Sequence, residues 1–334
     1  KKRIGKHDLD RVVVAACTPR TYEQLFQSAI EEVGLNKYML EMANIREQCS
    51  WVHVDEPEAA TEKAEALVGM AVAKVRLHRP REESVVEVSP TALVIGCGIS
   101  GLSSALSLAG QGFRVHIVER EPELGGLLRR IYKLYPLELD CSEFLKRKIE
   151  SARSNKNIEI HTSSEVRSVE GFIGNFDVEI VNKHGDIDRI KAGTIIVATG
   201  AEYLEPVGLY GYGLDTRVVT QLQLGERLRT RRLEGVRTVV MIQCAGSRNA
   251  DRPYCSRTCC ADALKNALLL MEAEPRREVF VIYRDLQTYG LQYSSLEWTA
   301  KKQGVKLIKY LPEKPPEVNF EKDAVVVKVF TPLI

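Results

Sequence analysis

The fold of this chain is decided by residues 91–126, TALVIGCGISGLSSALSLAGQGFRVHIVEREPELGG. The apolar run 92–95 predicts a buried strand, and residues 102–109 have the periodicity of an amphipathic helix. A second strand is predicted over 114–118, directly before Glu119. A strand, a glycine-rich turn, a helix, a second strand and an acid, in this order, are typical of a βαβ unit that binds a dinucleotide. We therefore predict an α/β fold built on a Rossmann-like unit.

The glycines of this unit follow the pattern G-x-G-x-x-G. Gly96 permits the tight turn, Gly98 lets the backbone approach a pyrophosphate, and Gly101 lets the helix and strand pack closely. The helix begins around Ile99 and Ser100, where free N–H groups and the positive end of the helix dipole face the phosphates. The alternative is a glycine-rich turn with no ligand, which the surrounding strand and helix disfavour.

Two further features identify the dinucleotide. Glu119 lies 18 residues after Gly101, where its carboxylate can accept hydrogen bonds from a ribose hydroxyl. The continuation Glu119-Arg120-x3-Leu124-Gly125-Gly126 resembles the two-dinucleotide-binding flavoproteins, in which this segment packs over FAD rather than NAD. A strand predicted over 191–198 ends in Ala-Thr-Gly, which in that superfamily brings backbone against the flavin nucleotide.

FAD is thus the predicted cofactor. Its predicted contacts are Gly96, Gly98, Ile99, Ser100, Gly101, Glu119, Arg120, Gly125, Gly126, Leu127, Val166, Ala198, Thr199 and Gly200. Arg120 is the weaker member, because an arginine after the acid is also a common surface residue.

Composition limits the function classes. With 334 residues, 44% of them hydrophobic and 28% charged, the chain is an ordinary globular protein of two or three domains. A net charge of +2 gives no case for nucleic acid or a membrane surface. No apolar run reaches the length of a membrane span, and no export signal is visible. We expect a cytoplasmic protein.

Three domains are predicted. Residues 1–88 form a partial N-terminal α/β domain and linker, 89–235 the FAD-binding domain with inserted short strands, and 236–334 a second Rossmann-like domain. In the first region we predict one strand, over 10–16, and two helices, over 22–33 and 59–77. A single strand lacks a sheet to pack on, so we expect that the chain begins inside a longer domain.

The second Rossmann-like unit is predicted from a strand over 238–242, a helix over 261–272 and a strand over 278–283. In pyridine-nucleotide-disulfide reductases this is where the NAD(P)H domain has its own glycine fingerprint. Here the fingerprint is absent. The segment contains four cysteines in the pattern C-x10-C-x3-C-C, namely Cys244, Cys255, Cys259 and Cys260. We therefore predict that this unit does not bind NAD(P)H.

Four thiolates are the usual ligands of an iron–sulfur cluster, and soft sulfur ligands select such clusters or zinc. Neither the C-x2-C knuckles typical of zinc sites nor the regular ferredoxin run is present. An iron–sulfur cluster is therefore favoured. The alternatives are inert buried thiols, a vicinal disulfide between Cys259 and Cys260, and a redox dithiol of Cys255 and Cys259.

The other four cysteines divide into two pairs. Cys17 and Cys49 are candidates for a second cluster, completed by cysteines outside this chain, or are buried core thiols. Cys97 occupies a variable position of the glycine motif, and Cys141 has no thiol neighbour in sequence. We interpret both as structural.

Over nearly its whole length the chain resembles the A subunit of heterodisulfide reductase and related flavin–iron–sulfur proteins of anaerobic sulfur metabolism and methanogenesis. The matching stretches, besides the flavin motif, are VVVAACTPRTYEQLF (12–26), EMANIREQCSWVH (41–53), VVMIQCAGSR (239–248) and YCSRTCC (254–260). The resemblance implies FAD and an unusual [4Fe-4S] cluster held by Cys244, Cys255, Cys259 and Cys260. It also implies an oligomeric cytoplasmic complex, with further subunits, ferredoxin, and a hydrogenase or formate dehydrogenase module as redox partners. In that family the flavin divides electron pairs between a high-potential and a low-potential acceptor.

The sequence departs from the family pattern in lacking the N-terminal cysteine-rich segment, the ferredoxin-like modules and the C-terminal flavin segment. We expect a fragment, or a chain completed by a partner. One rival function is an NAD(P)H-dependent, thioredoxin-reductase-like disulfide oxidoreductase, for which Asp285 would be the acid of the second unit; its other interpretation is a solvated turn residue. A second rival is a non-enzymatic subunit whose FAD and cluster only relay electrons between partners.

Lys265 is the predicted catalytic residue. It lies five residues after Cys260, on the helix that in the reductase superfamily faces the flavin ring. A lysine ammonium beside the flavin would favour negative charge on it and tune its potentials. The alternative is a solvated lysine beside the apolar side of an amphipathic helix.

Overall fold

The computed structural model describes residues 1–135 and 139–331. It contains two compact units, Lys1–Val86 and a larger one from Glu87 onward. None of the helices within the described residues is long and apolar enough to cross a membrane.

The first unit contains α1 (Lys2–Lys6), β1 (Val12–Ala16), α2 (Pro19–Glu31), β2 (Leu40–Asn44) and α3 (Pro57–Val75), with a π-helical turn over Arg46–Ser50. The predicted strand and both helices are present. The expectation of a single strand was wrong, because β1 pairs in parallel with β2. The β2 sequence LEMAN lacks alternating polarity, although Leu40, Ala43 and Asn44 are buried. Its pairing with β1, rather than its own pattern, makes it a strand.

The second unit begins with the predicted flavin-binding elements. These are β3 (Thr91–Ile95), α4 (Ile99–Gly110), β4 (Arg114–Glu119), α5 (Cys141–Arg153), β5 (Ile158–Thr162), β6 (Ser164–Phe172), β7 (Asn175–Asn182), β8 (Ile187–Ala192) and β9 (Thr194–Val197). A parallel sheet has the order β5-β4-β3-β9, and β6, β7 and β8 form an antiparallel meander. This arrangement confirms the predicted α/β Rossmann-like fold.

The two faces of the parallel sheet are buried by different partners. On one face Val94 and Ile117 pack with Leu102 of α4 and Leu145 of α5 in one cluster. On the other face, residues of β3 and β4 pack with residues of β7 and β8 in a second cluster of Leu93, Val118, Val178, Ile180 and Ala192. Burial on both faces explains why β3 is apolar from Ala92 to Ile95.

The strand predicted over 191–198 is two strands in two different sheets. The break is at Gly193, whose N–H donates to the Thr91 carbonyl at 2.8 Å and whose carbonyl accepts from the Gly174 N–H at 3.0 Å. A Cβ at position 193 would lie 2.1 Å from the Ser89 carbonyl oxygen. Close backbone packing therefore carries the chain from the meander to the parallel sheet at this glycine.

The remaining elements are α6 (Gln221–Arg229), β10 (Thr238–Ile242), α7 (Cys259–Ala273), β11 (Glu278–Tyr283), α8 (Leu291–Lys302), β12 (Lys306–Lys309), β13 (Glu317–Phe320) and β14 (Val325–Lys328). β10, β11 and β12 form a parallel sheet, and β13 pairs with β14 in antiparallel fashion. Both predicted strands of this unit have the predicted bounds. α7 begins two residues earlier than predicted, so Cys259 and Cys260 are its first two residues.

Candidate functional site

Gly96 joins the two flavin signatures, although about 100 residues separate them in sequence. Its φ is +101°, and a Cβ there would lie 2.3 Å from the Ala198 carbonyl oxygen and 3.1 Å from the Thr199 Cα. The Ala198 N–H donates to the Ile95 carbonyl at 2.8 Å, which extends the β3–β9 pairing up to the turn. The glycine motif and the Ala-Thr-Gly turn are thus in direct backbone contact.

The beginning of α4 is open in the way that a pyrophosphate requires. A Cβ at Gly101 would lie 1.9 Å from the Gly96 carbonyl oxygen, whereas nothing lies within 4 Å of a Cβ at Gly98. Gly98 is the N-cap residue, and no side chain caps the helix. Ile99 and Ser100 form its first turn, so their N–H groups are available to an anion. The residues present therefore fit a dinucleotide phosphate.

Glu119 is buried, and its carboxylate holds the turn together. One oxygen accepts from the Cys97 N–H at 2.7 Å and the other accepts from the Glu121 N–H at 3.0 Å. The carboxylate is therefore fixed against the loop that contains Gly96 and Gly98. Its predicted hydrogen bond to a ribose remains a prediction.

The other predicted FAD contacts surround this turn to different extents. Gly126 has φ +51°, and a Cβ there would lie 3.3 Å from the Gly98 Cα; Gly125 has φ +113° and packs on Leu145. Arg120 is largely exposed and pairs with Glu121 and Glu202, at 3.5 and 3.8 Å. The rest comprise exposed Leu127, Thr199 and Gly200, and Val166 of β6, which packs on the second core cluster.

Three of the four predicted cluster ligands lie together. Cys244 follows β10 with φ +62°, a left-handed conformation, and its backbone hydrogen-bonds to the sulfur of Cys259 at the N-terminus of α7. Cys260 is adjacent and buried, with its thiol 3.9 Å from the Asp285 carbonyl oxygen. Cys255 lies on the preceding loop, where its sulfur accepts from the Arg257 N–H at 3.3 Å. The structure does not record a contact between Cys255 and the other three sulfurs.

The adjacent thiols titrate as an unequal pair. A hydrogen bond from Cys260, helped by Ser256, holds the pKa of Cys259 well below its usual range despite burial. The same hydrogen bond, together with burial, raises the pKa of Cys260. The helix N-terminus also favours negative charge at Cys259. Cys259 is therefore the thiol of the pair that loses its proton more readily, and the thiolate is the form that binds metals.

Arg248 was not selected from the sequence, although it ends the stretch 239–248. Burial raises the pKa of Cys244, and the Arg248 guanidinium beside that sulfur opposes the rise. Its Nη2 donates to Asp285 at 3.0 Å, whereas its buried Nη1 has no hydrogen-bond partner among the described residues. A buried donor without a hydrogen-bond partner beside the thiols fits a site that binds an electron-rich group.

Lys265 is not the solvated lysine of the alternative interpretation. Its side chain is 11% exposed, and its Nζ donates to Asp262 at 2.9 Å. It lines a small cavity with Arg130 at the end of the 126–130 turn, with Tyr132 just after that turn, and with Gln221 of α6. Lys265 thus lies between the first Rossmann-like unit and the second, although the structure does not give its distance to a flavin.

Tyr203 also could not be selected from the sequence. It lies three residues after Gly200, and burial together with the nearby Asp262 and Cys259 raises its pKa. Tyr203 therefore lies near Asp262 and Cys259 at the beginning of α7. No local sequence signal marks it, because its neighbours come from α7.

The remaining cysteines are separate from this group. Burial raises the pKa of Cys97 to about 12 and that of Cys141 to about 11, which keeps both as neutral thiols. Cys17 accepts from Arg46 at 3.2 Å, and the buried Cys49 thiol contacts the Ala60 carbonyl at 2.7 Å. These contacts do not join the two sulfurs, so the second cluster stays a prediction.

Comparison with known proteins places the chain among flavin-dependent oxidoreductases. Residues 90–242 match the pyridine nucleotide-disulphide oxidoreductase family. The A subunit of the H(2):CoB-CoM heterodisulfide,ferredoxin reductase of Methanothermobacter thermautotrophicus is 35% identical, over 93% of this chain and 61% of that protein. The first iron-sulfur A subunit of the CoB–CoM heterodisulfide reductase of Methanopyrus kandleri is 34% identical, over 98% of this chain and 63% of that protein.

Among solved structures, the thioredoxin reductase of T. acidophilum covers 72% of this chain and 73% of its own, at 18% identity and a TM-score of 0.45. The chain spans about three fifths of the length of these curated relatives, 61% of one and 63% of the other. Over that part of its length the chain is therefore similar to the A subunit of heterodisulfide reductase, which confirms the resemblance seen in the sequence.

Proposed function

We propose that the chain is the electron-transferring part of a heterodisulfide-reductase-type complex, with FAD at the first Rossmann-like unit and a [4Fe-4S] cluster at the second. The observation that supports this most directly is the group of Cys244, Cys259 and Cys260 at the start of α7. In a dinucleotide-binding unit this helix N-terminus would face phosphates. Cys255, on the loop before α7, would complete the ligand set as the segment closes on a cluster.

When bound, FAD exchanges two electrons and an iron–sulfur cluster exchanges one. The protein's part is to hold the two groups close together and to set their charge environment. Gly96, Gly98 and Gly101 would hold the backbone where FAD phosphates bind, and the largely buried Tyr203 lies near Cys259. Arg248 supplies positive charge beside Cys244.

Analysis of the purified, anaerobically prepared chain tests this proposal. We expect about one FAD, four iron atoms and four acid-labile sulfides per chain, as one cubane cluster requires. FMN or no flavin in the extract would contradict the first assignment. Iron without sulfide, or zinc in place of iron, would contradict the second.

We also propose that the flavin divides electron pairs between two acceptors. In a complex with its further subunits, a ferredoxin and a hydrogenase or formate dehydrogenase module, the chain would pass electrons to a disulfide and to ferredoxin. Coupled division requires that ferredoxin be reduced only while the heterodisulfide is also reduced. Ferredoxin reduction without the disulfide would mean that the chain only relays electrons, which is the non-enzymatic alternative. Reduction of the flavin in the isolated chain by candidate donors distinguishes the enzymatic function from the relay.

The NAD(P)H-dependent alternative has little support at the second unit. Asp285, the acid that it would use, pairs with Arg248 at 3.0 Å and with Lys309 at 3.6 Å. The segment 243–258 also replaces the tight glycine turn that phosphates enter. We expect no steady oxidation of NADPH by the isolated chain with a disulfide acceptor. Sustained turnover in a spectrophotometric assay would revive the reductase.

Lys265 is proposed to tune the flavin through its charge. Since the ammonium is nearly buried, we expect that Lys265→Ala makes the flavin harder to reduce by a few tens of millivolts, about a tenfold change per 30 mV for two electrons. Lys301→Ala is the matched control, because Lys301 also pairs with an acid on its own helix but is 54% exposed. Potentiometric titration of the FAD absorbance measures both. Equal potentials in the two variants, with FAD and iron intact, would remove Lys265 from the site.

A further inference from the structure

A group of potential metal ligands lies outside both proposed sites. His116 is on β4 and pairs in register with Glu159 on β5, and His161 is two residues further along β5. Because side chains alternate along a strand, all three point to the same face of the sheet. Among the described residues, this is the set of His, Cys, Asp or Glu in which three ligand atoms lie within 4.8 Å of one another.

The distances between the ligand atoms suit one small metal ion. His116 Nδ1 lies 3.1 Å from His161 Nε2 and 3.6 Å from Glu159 Oε2, and His161 Nε2 lies 3.9 Å from Glu159 Oε1. Tetrahedral zinc with bonds of about 2.0–2.1 Å separates its ligands by roughly 3.3–3.4 Å. The observed values bracket this separation, so small side-chain movements would bring all three atoms onto one ion.

The surroundings of the group also favour a metal ion. The side chains of His116 and His161 are 7% and 11% exposed, whereas that of Glu159 is 49% exposed and leaves access from solvent. His161 Nδ1 lies 3.7 Å from Asp188 on β8, and histidine ligands commonly present their second ring nitrogen to a carboxylate. Arg114 donates to Glu159 Oε2 at 2.9 Å, which orients the carboxylate with Oε2 near His116 and Oε1 near His161.

We propose that His116 Nδ1, His161 Nε2 and a Glu159 oxygen bind one Zn²⁺ ion, with water in the fourth position. Two nitrogen ligands and one carboxylate are a set that zinc accepts. The ion would join the edge strand β5 to β4, and Asp188 would connect it to the meander. The competing explanation is a hydrogen bond between two stacked imidazoles, whose centroids are 5.4 Å apart.

The test uses the purified chain with its own prosthetic groups, treated with a chelator and then titrated with Zn²⁺. We expect wild type to bind one equivalent that His161→Gln and Glu159→Gln bind at least tenfold more weakly. His184→Ala is the control, because His184 is exposed in the turn between β7 and β8 and only its backbone N–H is engaged, by Asn182. Zinc should raise the thermal midpoint of wild type and His184→Ala, but not of His161→Gln.

X-ray absorption at the zinc edge identifies the ligands. A nitrogen and oxygen shell with two imidazoles supports the site. A sulfur shell, or equal zinc binding by wild type and His161→Gln, overturns it, since the zinc would then lie on cysteines. The FAD content and circular dichroism of each variant show that the fold is retained, and Glu159→Gln provides the answer if His161→Gln fails to fold.

Discussion

Alanine at position 101 is expected to leave the chain without FAD and with a strongly destabilised flavin unit. The added Cβ would lie 1.9 Å from the Gly96 carbonyl oxygen and 3.3 Å from a Val94 methyl group. The first of these contacts is with backbone, so no rotamer change relieves it, and over-packing costs about 1–3 kcal/mol or more. Soluble yield, flavin absorbance and the thermal unfolding midpoint measure the effect.

Substitutions at two other glycines distinguish an effect on folding from an effect on cofactor binding. Nothing lies within 4 Å of a Cβ at Gly98, so Gly98→Ala should unfold like wild type when FAD is removed, yet bind FAD more weakly where a phosphate approaches. Gly110→Ala, at the last residue of α4, is equally open and should retain full FAD. Normal FAD content in Gly101→Ala would show that the turn is not held as described.

Serine at position 259 is expected to remove most of the iron and sulfide while FAD stays bound. Cys259 is the first residue of α7, and a hydrogen bond from Cys260 lowers the pKa of its thiol. A serine hydroxyl is a harder ligand that stays protonated and holds iron poorly. Iron, sulfide and flavin measured on the same sample give the result.

Cys141→Ala is the control for that experiment. Cys141 is also one of the first residues of a helix, α5, but burial raises its pKa to about 11 and keeps it a neutral thiol. The control should retain all its iron. Wild-type iron and sulfide in Cys259→Ser, or an equal loss in Cys141→Ala, would contradict the assignment of the cluster.

The sequence predicted those elements whose signal is local. The bounds of β10 and β11 were predicted correctly because each strand is an apolar run ended by polar residues, and β3 and α4 followed from the glycine motif. One strand was predicted over 191–198 where the structure has a meander strand and a parallel strand. Nothing within that run shows that Gly193 lies against the Ser89 carbonyl. β2 escaped detection for a similar reason, because its partner β1 lies 28 residues earlier in register, Val12 opposite Leu40.

The candidate site shows the same division. The residue types and spacing selected the thiols, but not that Cys259 and Cys260 would have pKa values shifted in opposite directions at a helix N-terminus. Arg248 and Tyr203 could not be selected either, because their partners Asp285 and Asp262 come from other elements. The helical pattern placed Lys265 beside an apolar stripe, but residues 130–132 and α6, which lie beside it in the fold, are distant from it in sequence.

The contact between Gly96 and Ala198 has a consequence for how such a sequence can change. Two backbones touch there, so no enlargement or trimming of a neighbouring side chain makes room for a Cβ at position 96. The glycine motif and the Ala-Thr-Gly turn therefore cannot change independently, because no side-chain substitution elsewhere compensates for Gly96→Ala. Change at this contact therefore requires that both backbone segments move together.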